Sequence, residues 1–397
     1  MTGPLEGIRI LDLSWVLAGP FATMILGDLG AEVIKVERPE TGDLARGNSP
    51  LVDGESFYFL SVNRGKKSLT LDLQTPEGKE VFLKLVKKVD VIVENFLPGT
   101  MDKLGLGYEV VKRENPAIIY ASISGFGQTG PYAPYRALDI IVQAMGGMMS
   151  LTGEPDGQPL KPGAALGDIT TGLFTATGIL SALLERQKSG QGQMLDMSML
   201  DCQVAILENA FARFFATGKV PHRTGDRHPL FTPFQAFETR DGYIAVAMVG
   251  GMRNQWALFC AIAGLLELID DERYNTHELR SEHYQELEPV LKSVMKTKTT
   301  AEWLEELSAV GIPCAPVNTI DQVASHPQVL AREMIVEVPH PRLGKVKVIN
   351  SPIKLSRTPA KVERTSPDLG QDTEPLLTEL LNMSQDEIDK LRKSGVI

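Results

Sequence analysis

Cysteine is scarce in this chain. The three in 397 residues, Cys202, Cys260 and Cys314, stand far apart, are odd in number and form no C-x-x-C pair. They exclude a disulfide framework and a thiolate zinc site, and read as buried thiols in a reducing compartment. Histidine is nearly as scarce. His222, His228, His277, His283, His326 and His340 show no metal-ligand spacing, so no metal is expected. Positive charge is in deficit: 40 Lys and Arg stand against 50 Asp and Glu, a net charge of −10. Such a chain repels a phosphate backbone, which excludes nucleic acid as a partner but leaves room for a local basic pocket. No apolar run approaches the ~20 residues of a membrane span, so no membrane partner is expected. The opening "MTGPLEGIRILDLSW" lacks the basic and apolar regions of a signal peptide. The chain reads as cytoplasmic; a mitochondrial matrix location would require a transit peptide already removed.

What is present is an ordinary soluble composition, 43% hydrophobic and 23% charged, in a chain long enough for two or three domains. Strand and helix patterns alternate from the start. "IRILDLS" alternates apolar and polar residues; "GPFATMILGDLG" has helical spacing and stops at Gly30. "AEVIKVE", "SLTLDL", "DVIVENF" and "AIIYASISGF" read as further strands. In "TPEGKEVFLKLVKKV", Thr75 is placed to cap a helix that Pro76 opens. This alternation predicts an α/β fold, a doubly wound and mainly parallel sheet of Rossmann type. Ligands in such sheets bind beyond the carboxyl ends of strands, here Ser14–Val16, Glu37–Arg38, Asn95–Phe96 and Ser124–Phe126. A long helix is predicted from Asp168 to about Lys188. The loop-like "ATGKVPHRTGDRHP" marks a boundary, followed by a hairpin turning at Arg240-Asp241-Gly242. The expected organisation is a large domain over 1–200, a linker over 201–225, a smaller α+β domain over 226–315, and a segment over 316–397 that returns to the large domain.

Several motifs carry more than one reading. "GFGQTG" (Gly125–Gly130) fits G-x-G-x-x-G after a strand, the dinucleotide fingerprint. Pro131 and Pro134 would break the helix that should receive a pyrophosphate, so a tight loop is the better reading. "GGMRNQW" ends an apolar strand with Gly250 and Gly251, either a turn or a mobile lid. His222 and His228 share a loop and read either as surface residues or as substrate contacts. Among basic residues near strand ends, Arg38 beside Pro39 is the best phosphate ligand, because its planar fork bonds phosphate bidentately. Asp168 is the one acid in "LKPGAALGDITTGLFTATGIL", with Gly163, Gly167 and Gly172 around it and no His, Cys or second carboxylate. As a helix N-cap it would accept backbone N–H bonds. As a nucleophile it would attack an activated acyl group without a base partner, being ionised at neutral pH, while the glycines let substrate and amides come close.

The stretches "PLEGIRILDLSWVLAGPFATMILGDLGAEVIKVERPETGD", "VNRGKKSLTLDL", "VENFLPGTMDKLGLGYE", "SGFGQTGPY", "LGDITTGL", "GIPCAPVN" and "SPDLGQDTEPLLTELL" resemble the class III CoA-transferases, the formyl-CoA and carnitine CoA-transferase group, along almost the whole chain. The resemblance implies an acyl-CoA donor, a small carboxylic acid as acceptor, no permanently bound cofactor, and an interlocked homodimer. It puts the nucleophile at Asp168 and the CoA contacts at Val16, Arg38, Leu71, Asp72, Leu73, Asn95, Phe96, Lys103 and Arg136. Lys103 stands where the group usually has arginine, which keeps the charge but not bidentate bonding. Leu17, Tyr58 and Leu138 fall on acceptor positions, and Gly250 and Gly251 on the lid. The family also holds α-methylacyl-CoA racemases, whose acid–base His falls on Leu138; racemase is therefore the alternative, and a non-catalytic CoA-binding protein a further one. Leu17, Asn48 and Leu138 replace the Gln, Trp and Tyr of oxalate-specific members, and the N-terminal run is nearest the succinyl-CoA-dependent dicarboxylate branch.

Overall fold

The structure is a computed structural model that describes residues 3–249 and 254–397. The chain forms two compact units. The first comprises Met1–Met148, Lys161–Phe215 and Pro327–Ile397; the second comprises Met149–Leu160 and Ala216–His326.

Six parallel strands build the first unit: β1 (Arg9–Asp12), β2 (Glu32–Glu37), β3 (Lys67–Thr70), β4 (Val91–Glu94), β5 (Ile119–Ser124) and β6 (Met194–Ser198). Their spatial order is β3-β2-β1-β4-β5-β6. The chain leaves β1 toward one edge and returns after β3 to lay β4 on the other side of β1. The carboxyl ends of β1 and β4 therefore flank the switch point, where an open parallel sheet leaves a crevice. Period-two patterning covers both faces of the sheet. Ile10, Val33, Val91 and Ile119 pack on one face with Ala22 and Leu26 of α1 (Ala18–Asp28). Leu11, Ile34, Ile92 and Tyr120 pack on the other with Phe82 and Leu85 of the helix Pro76–Val86. That helix starts as its sequence requires: the Thr75 hydroxyl accepts the Gly78 N–H at 3.0 Å, and Pro76 fills the first helical position.

Further helices bear on the site: α2 (Phe57–Asn63), α3 (Asp139–Met145) and α4 (Leu166–Ser189). With 24 residues, α4 has the length and composition of a membrane span. It is a core helix by its packing: Ala176, Ile179, Ala182 and Leu183 are buried against the sheet with α1, and Arg186 near its end pairs with Asp90 at 2.8 Å. The "GFGQTG" loop runs on through turns with no helix until α3 begins at Asp139, so nothing receives a pyrophosphate there.

In the second unit, strands Phe234–Glu238 and Tyr243–Ala247 form the expected hairpin, and Cys314–Pro316 adds a third antiparallel strand. Phe259, Leu287, Leu291 and Trp303 fill its core. Cys202 and Cys260 are buried, but Cys314 is only half-buried, contrary to the expectation of three buried thiols. It sits on the edge strand of that sheet, where among the described residues no further strand pairs with its outer side.

Candidate active site

A cavity of about 600 Å³ opens at the switch point. Its wall includes Trp15 to Ala18 after β1, Asn95 and Phe96 after β4, and Arg136, Leu138 and Asp168. Two further cavities adjoin it. One of about 350 Å³ shares Trp15 and Phe96 and is lined by Arg38, Leu71, Asp72 and Leu73. The next, of about 700 Å³, shares Arg38 and Asp72 and reaches Thr70 and Arg392. These shared walls make one trough along the carboxyl edge of the sheet, with Asp168 at one end and Arg38 toward the other. The Arg38 guanidinium lies over the Trp15 ring at 4.4 Å, and Phe96 meets that ring edge-on at 5.8 Å. One cation and two aromatic rings thus stand together where the first two cavities join.

The structure brings Val16, Leu17, Arg38, Leu71, Asp72, Leu73, Asn95, Phe96, Arg136, Leu138 and Asp168 to these cavity walls. Lys103 is exposed on the short helix Thr100–Leu104, while its neighbours Thr100 and Leu104 line the middle cavity. Tyr58, on α2, has its hydroxyl pushed up to about 12 by burial and then by the carboxylates of Asp168, Asp43 and Asp139. Gly250 and Gly251 lie outside the described residues. In the second unit, Arg223 donates to the backbone carbonyls of Glu154 (3.2 Å) and Gly157 (2.9 Å), and His228 Nδ1 accepts the Leu230 N–H at 3.1 Å. Both side chains thus make local structural bonds. Among the described residues no group of three or more His, Cys, Asp or Glu side chains could hold a metal ion.

Asp168 is not an N-cap, as its local sequence allowed. Ala165 occupies that position, and Asp168 is the third residue of α4, in its first turn. The capping is done from a distance: Asp139 Oδ1 accepts the Gly167 N–H at 2.8 Å, and Asp139 Oδ2 accepts Gln143 Nε2 at 2.7 Å. The Asp168 carboxyl is thereby left to face the cavity. Burial, and then the neighbouring Asp139 carboxylate, push its pKa to about 7. A group expected to be fully ionised at neutral pH is therefore balanced between its two forms.

The glycines also do something other than expected. Gly163 stands in open space, but a Cβ on Gly167 would come within 2.7 Å of Val142, and one on Gly172 within 2.9 Å of the Ala18 carbonyl oxygen and the Phe21 ring. Gly167 and Gly172 therefore serve helix packing, not ligand approach. Gly172 allows α4 to touch the backbone of α1 one turn beyond Asp168, which fixes Asp168 relative to the turn at Trp15–Ala18.

Under the trough lies a buried ionic network. Lys66 Nζ bonds Asp12 Oδ2 at 2.8 Å, and Lys35 Nζ bonds Asp43 Oδ2 at 2.8 Å. Burial alone would raise the Asp12 carboxyl, yet the Lys66 and Lys35 ammonium groups hold it well below the usual range. Burial lowers Lys66 to about 8. Asp139, Asp43 and Lys35 escaped sequence reasoning. The one local signal was Asp43 ahead of "LARG", where its carboxylate does accept the Ala45 N–H at 2.9 Å and caps a short 3₁₀ turn.

A carboxylate on the wall of an elongated trough that also holds an arginine and two aromatic rings suits an enzyme of acyl transfer. Residues 5–373 match the CoA-transferase family III, and the chain belongs to that family. It is a CoA-transferase. It is 44% identical to the succinyl-CoA:glutarate CoA-transferase of Mus musculus over 395 residues, 99% of this chain and 90% of that protein. It is 41% identical to the succinate–glutarate CoA-transferase of Agrobacterium fabrum over 384 residues, 95% and 96% of the two chains. The crystal structure of a CAIB/BAIF family protein from Brucella suis superposes with a TM-score of 0.87 at 40% identity, covering 96% of this chain and all of that one.

Proposed function

We propose that this enzyme moves CoA from succinyl-CoA to a dicarboxylic acid of about glutarate's length, with Asp168 as nucleophile. The observation that carries the reading is Asp168 itself, a carboxyl half-freed of its proton and facing the switch-point cavity. The names of the relatives supply donor and acceptor. The CoA nucleotide takes the Arg38, Leu71, Asp72 and Leu73 end of the trough. Val16, Asn95, Phe96 and Arg136 lie along the arm that leads to the thioester, and Lys103 offers its charge near the rim. Leu17, Tyr58 and Leu138 face the acceptor.

The ionised Asp168 oxygen attacks the thioester carbonyl; the C–S bond breaks and CoA leaves as thiolate, giving a mixed anhydride. The thiolate attacks the aspartyl carbonyl and expels succinate, leaving an aspartyl-CoA thioester. The acceptor carboxylate attacks that carbonyl, releasing thiolate again. Thiolate then attacks the acceptor's acyl carbon, forms the new CoA ester and restores Asp168. A helix's first turn leaves N–H groups without partners inside it, and α1 begins on the cavity wall at Leu17 and Ala18. Those groups are the donors for the oxyanion of each step. With succinyl-CoA and no acceptor, the protein should gain the mass of one CoA less one water on the peptide holding Asp168, and hydroxylamine should release it. An adduct on another residue would overturn the mechanism; equal use of glutarate and valerate in competition would overturn the acceptor class.

The same reading includes a homodimer, with the interlocked form of the family. The apolar side chains on the outer face of α4 support it: Leu173, Phe174, Leu180 and Leu184 are exposed, and Leu184 is 59% so. A face of that kind on a core helix calls for a partner surface.

A further inference from the structure

Side chains hold five backbone groups of the turn that joins β1 to α1. Asp12 Oδ1 accepts the Ser14 N–H at 3.0 Å, and Lys35 Nζ donates to the Ser14 carbonyl at 2.7 Å. Asn95 takes the Trp15 N–H and donates to its carbonyl, both at 2.8 Å. Asp43 receives the Val16 N–H on Oδ1 at 3.1 Å and on Oδ2 at 3.3 Å. Val16 has φ of 66°. A β-branched residue adopts that left-handed conformation only where its surroundings impose it.

Lys35 and Asp43 are both wholly buried, 2.8 Å apart. A buried pair of this kind adds little to stability, because desolvation offsets the attraction. Its geometry gives it another task. Lys35 holds the carbonyl of residue 14 and Asp43 the N–H of residue 16, so the pair spans the turn as a bridge. The turn it spans is cavity wall: Trp15, Val16 and Leu17 line the space that Asp168 faces, and Trp15 also carries Arg38.

We propose that the Lys35–Asp43 pair is a positioning device for CoA transfer, clamping Val16 in its left-handed form and so fixing the wall against which the thioester is aligned. The proposal rests on the transfer reading above. Neither residue touches the reacting atoms.

Asp43→Asn keeps size and shape but turns one oxygen into an NH₂, which must face either the Lys35 ammonium or the Val16 N–H. The clamp then opposes donor to donor. Misalignment of a bound thioester lowers turnover more than binding, so kcat should fall at least about 10-fold and KM for succinyl-CoA change less than about 3-fold. Glycine takes the left-handed conformation unaided. In a Val16→Gly background, Asp43→Asn should therefore cost less than about 2-fold in kcat, measured against Val16→Gly alone. Such rescue is not expected if Asp43 serves stability only. Equal loss in both backgrounds, no loss in the first, or a loss carried by KM alone would each overturn the proposal. Should Asp43→Asn by itself give no folded protein, Val16→Gly must restore folding, and failure to do so counts against the clamp. Asp168→Asn is assayed beside them. If it retains turnover, the transfer mechanism falls while the Val16–Asp43 coupling still stands or fails on its own cycle.

Discussion

The protonation of Asp168 should set the acid limb of the rate profile, and Asp139 should move it. Burial and the Asp139 carboxylate together raise the Asp168 pKa from 3.8 to about 7. In the proposed mechanism only the ionised form attacks, so kcat/KM for the donor should climb about tenfold per pH unit below that value and level off above it. Asp139→Asn keeps an oxygen for the Gly167 N–H and removes the like charge. From 3.8 to about 7 is about 3.2 pH units, and burial is the larger of the two causes. Asp139 therefore holds less than half, and the limb should move down by less than about 1.6 pH units. The assay is formation of the new CoA ester from about pH 5 to pH 9. A limb that stays in place or moves up would refute the reasoning, as would a wild-type rate that is flat through neutrality. The same proton links to stability. Between 3.8 and about 7 the folded chain binds more protons at Asp168 than the unfolded chain does, so this group makes stability fall as pH rises through that window. Asp168→Asn removes the effect. The variant should melt at or above the wild type near about pH 8, and the two should converge near about pH 4.

Three other outcomes are expected. Arg38→Ala should raise KM for acyl-CoA more than it lowers kcat, since the guanidinium stacked on Trp15 binds ground and transition states alike; an unchanged KM for every CoA ester would remove Arg38 from the nucleotide site. Gly172→Ala puts a Cβ 2.9 Å from the Ala18 carbonyl oxygen, so α1 and α4 must part; thermal unfolding should show a loss of about 1–3 kcal/mol, together with a fall in turnover. Light scattering should find a homodimer of the 43.4 kDa chain down to nanomolar protein, and an interface above the ~2,000 Å² that separates obligate from ordinary contacts, whereas a folded monomer would contradict the assembly.

What could be read from the sequence and what could not divide along a physical line. Features decided by neighbours along the chain were legible. The alternation in "IRILDLS" and "AEVIKVE", the Thr75-Pro76 helix start, and the prolines after "GFGQTG" each act within a few residues, and each structure formed as its local chemistry dictates. Of the strand ends read as ligand positions, Trp15, Val16, Asn95 and Phe96 do border the switch-point cavity, because a parallel sheet with helices on both faces leaves few other openings.

Asp168 shows where that legibility stops. Its neighbours specify a helix start, and a lone Asp at a helix start reads as a cap. The structure gives that work to Asp139, which arrives from the preceding helix with its own carboxylate on the Gly167 N–H. One distant residue therefore frees Asp168 from capping, raises its pKa by proximity, and turns it toward the cavity. The Val16 turn follows the same logic: nothing in "SWVLAG" calls for a left-handed valine, and the cause lies with Lys35 and Asp43, brought beneath it by the neighbouring strand and the short turn beyond it. Chemical groups in this site take their state from partners far away in sequence. A carboxyl balanced near neutrality and a strained turn both oppose stability, and each persists because the fold around it holds it there. The residues that most deserve mutation are therefore those that hold the site, Asp139 and Asp43, as much as Asp168, the proposed nucleophile.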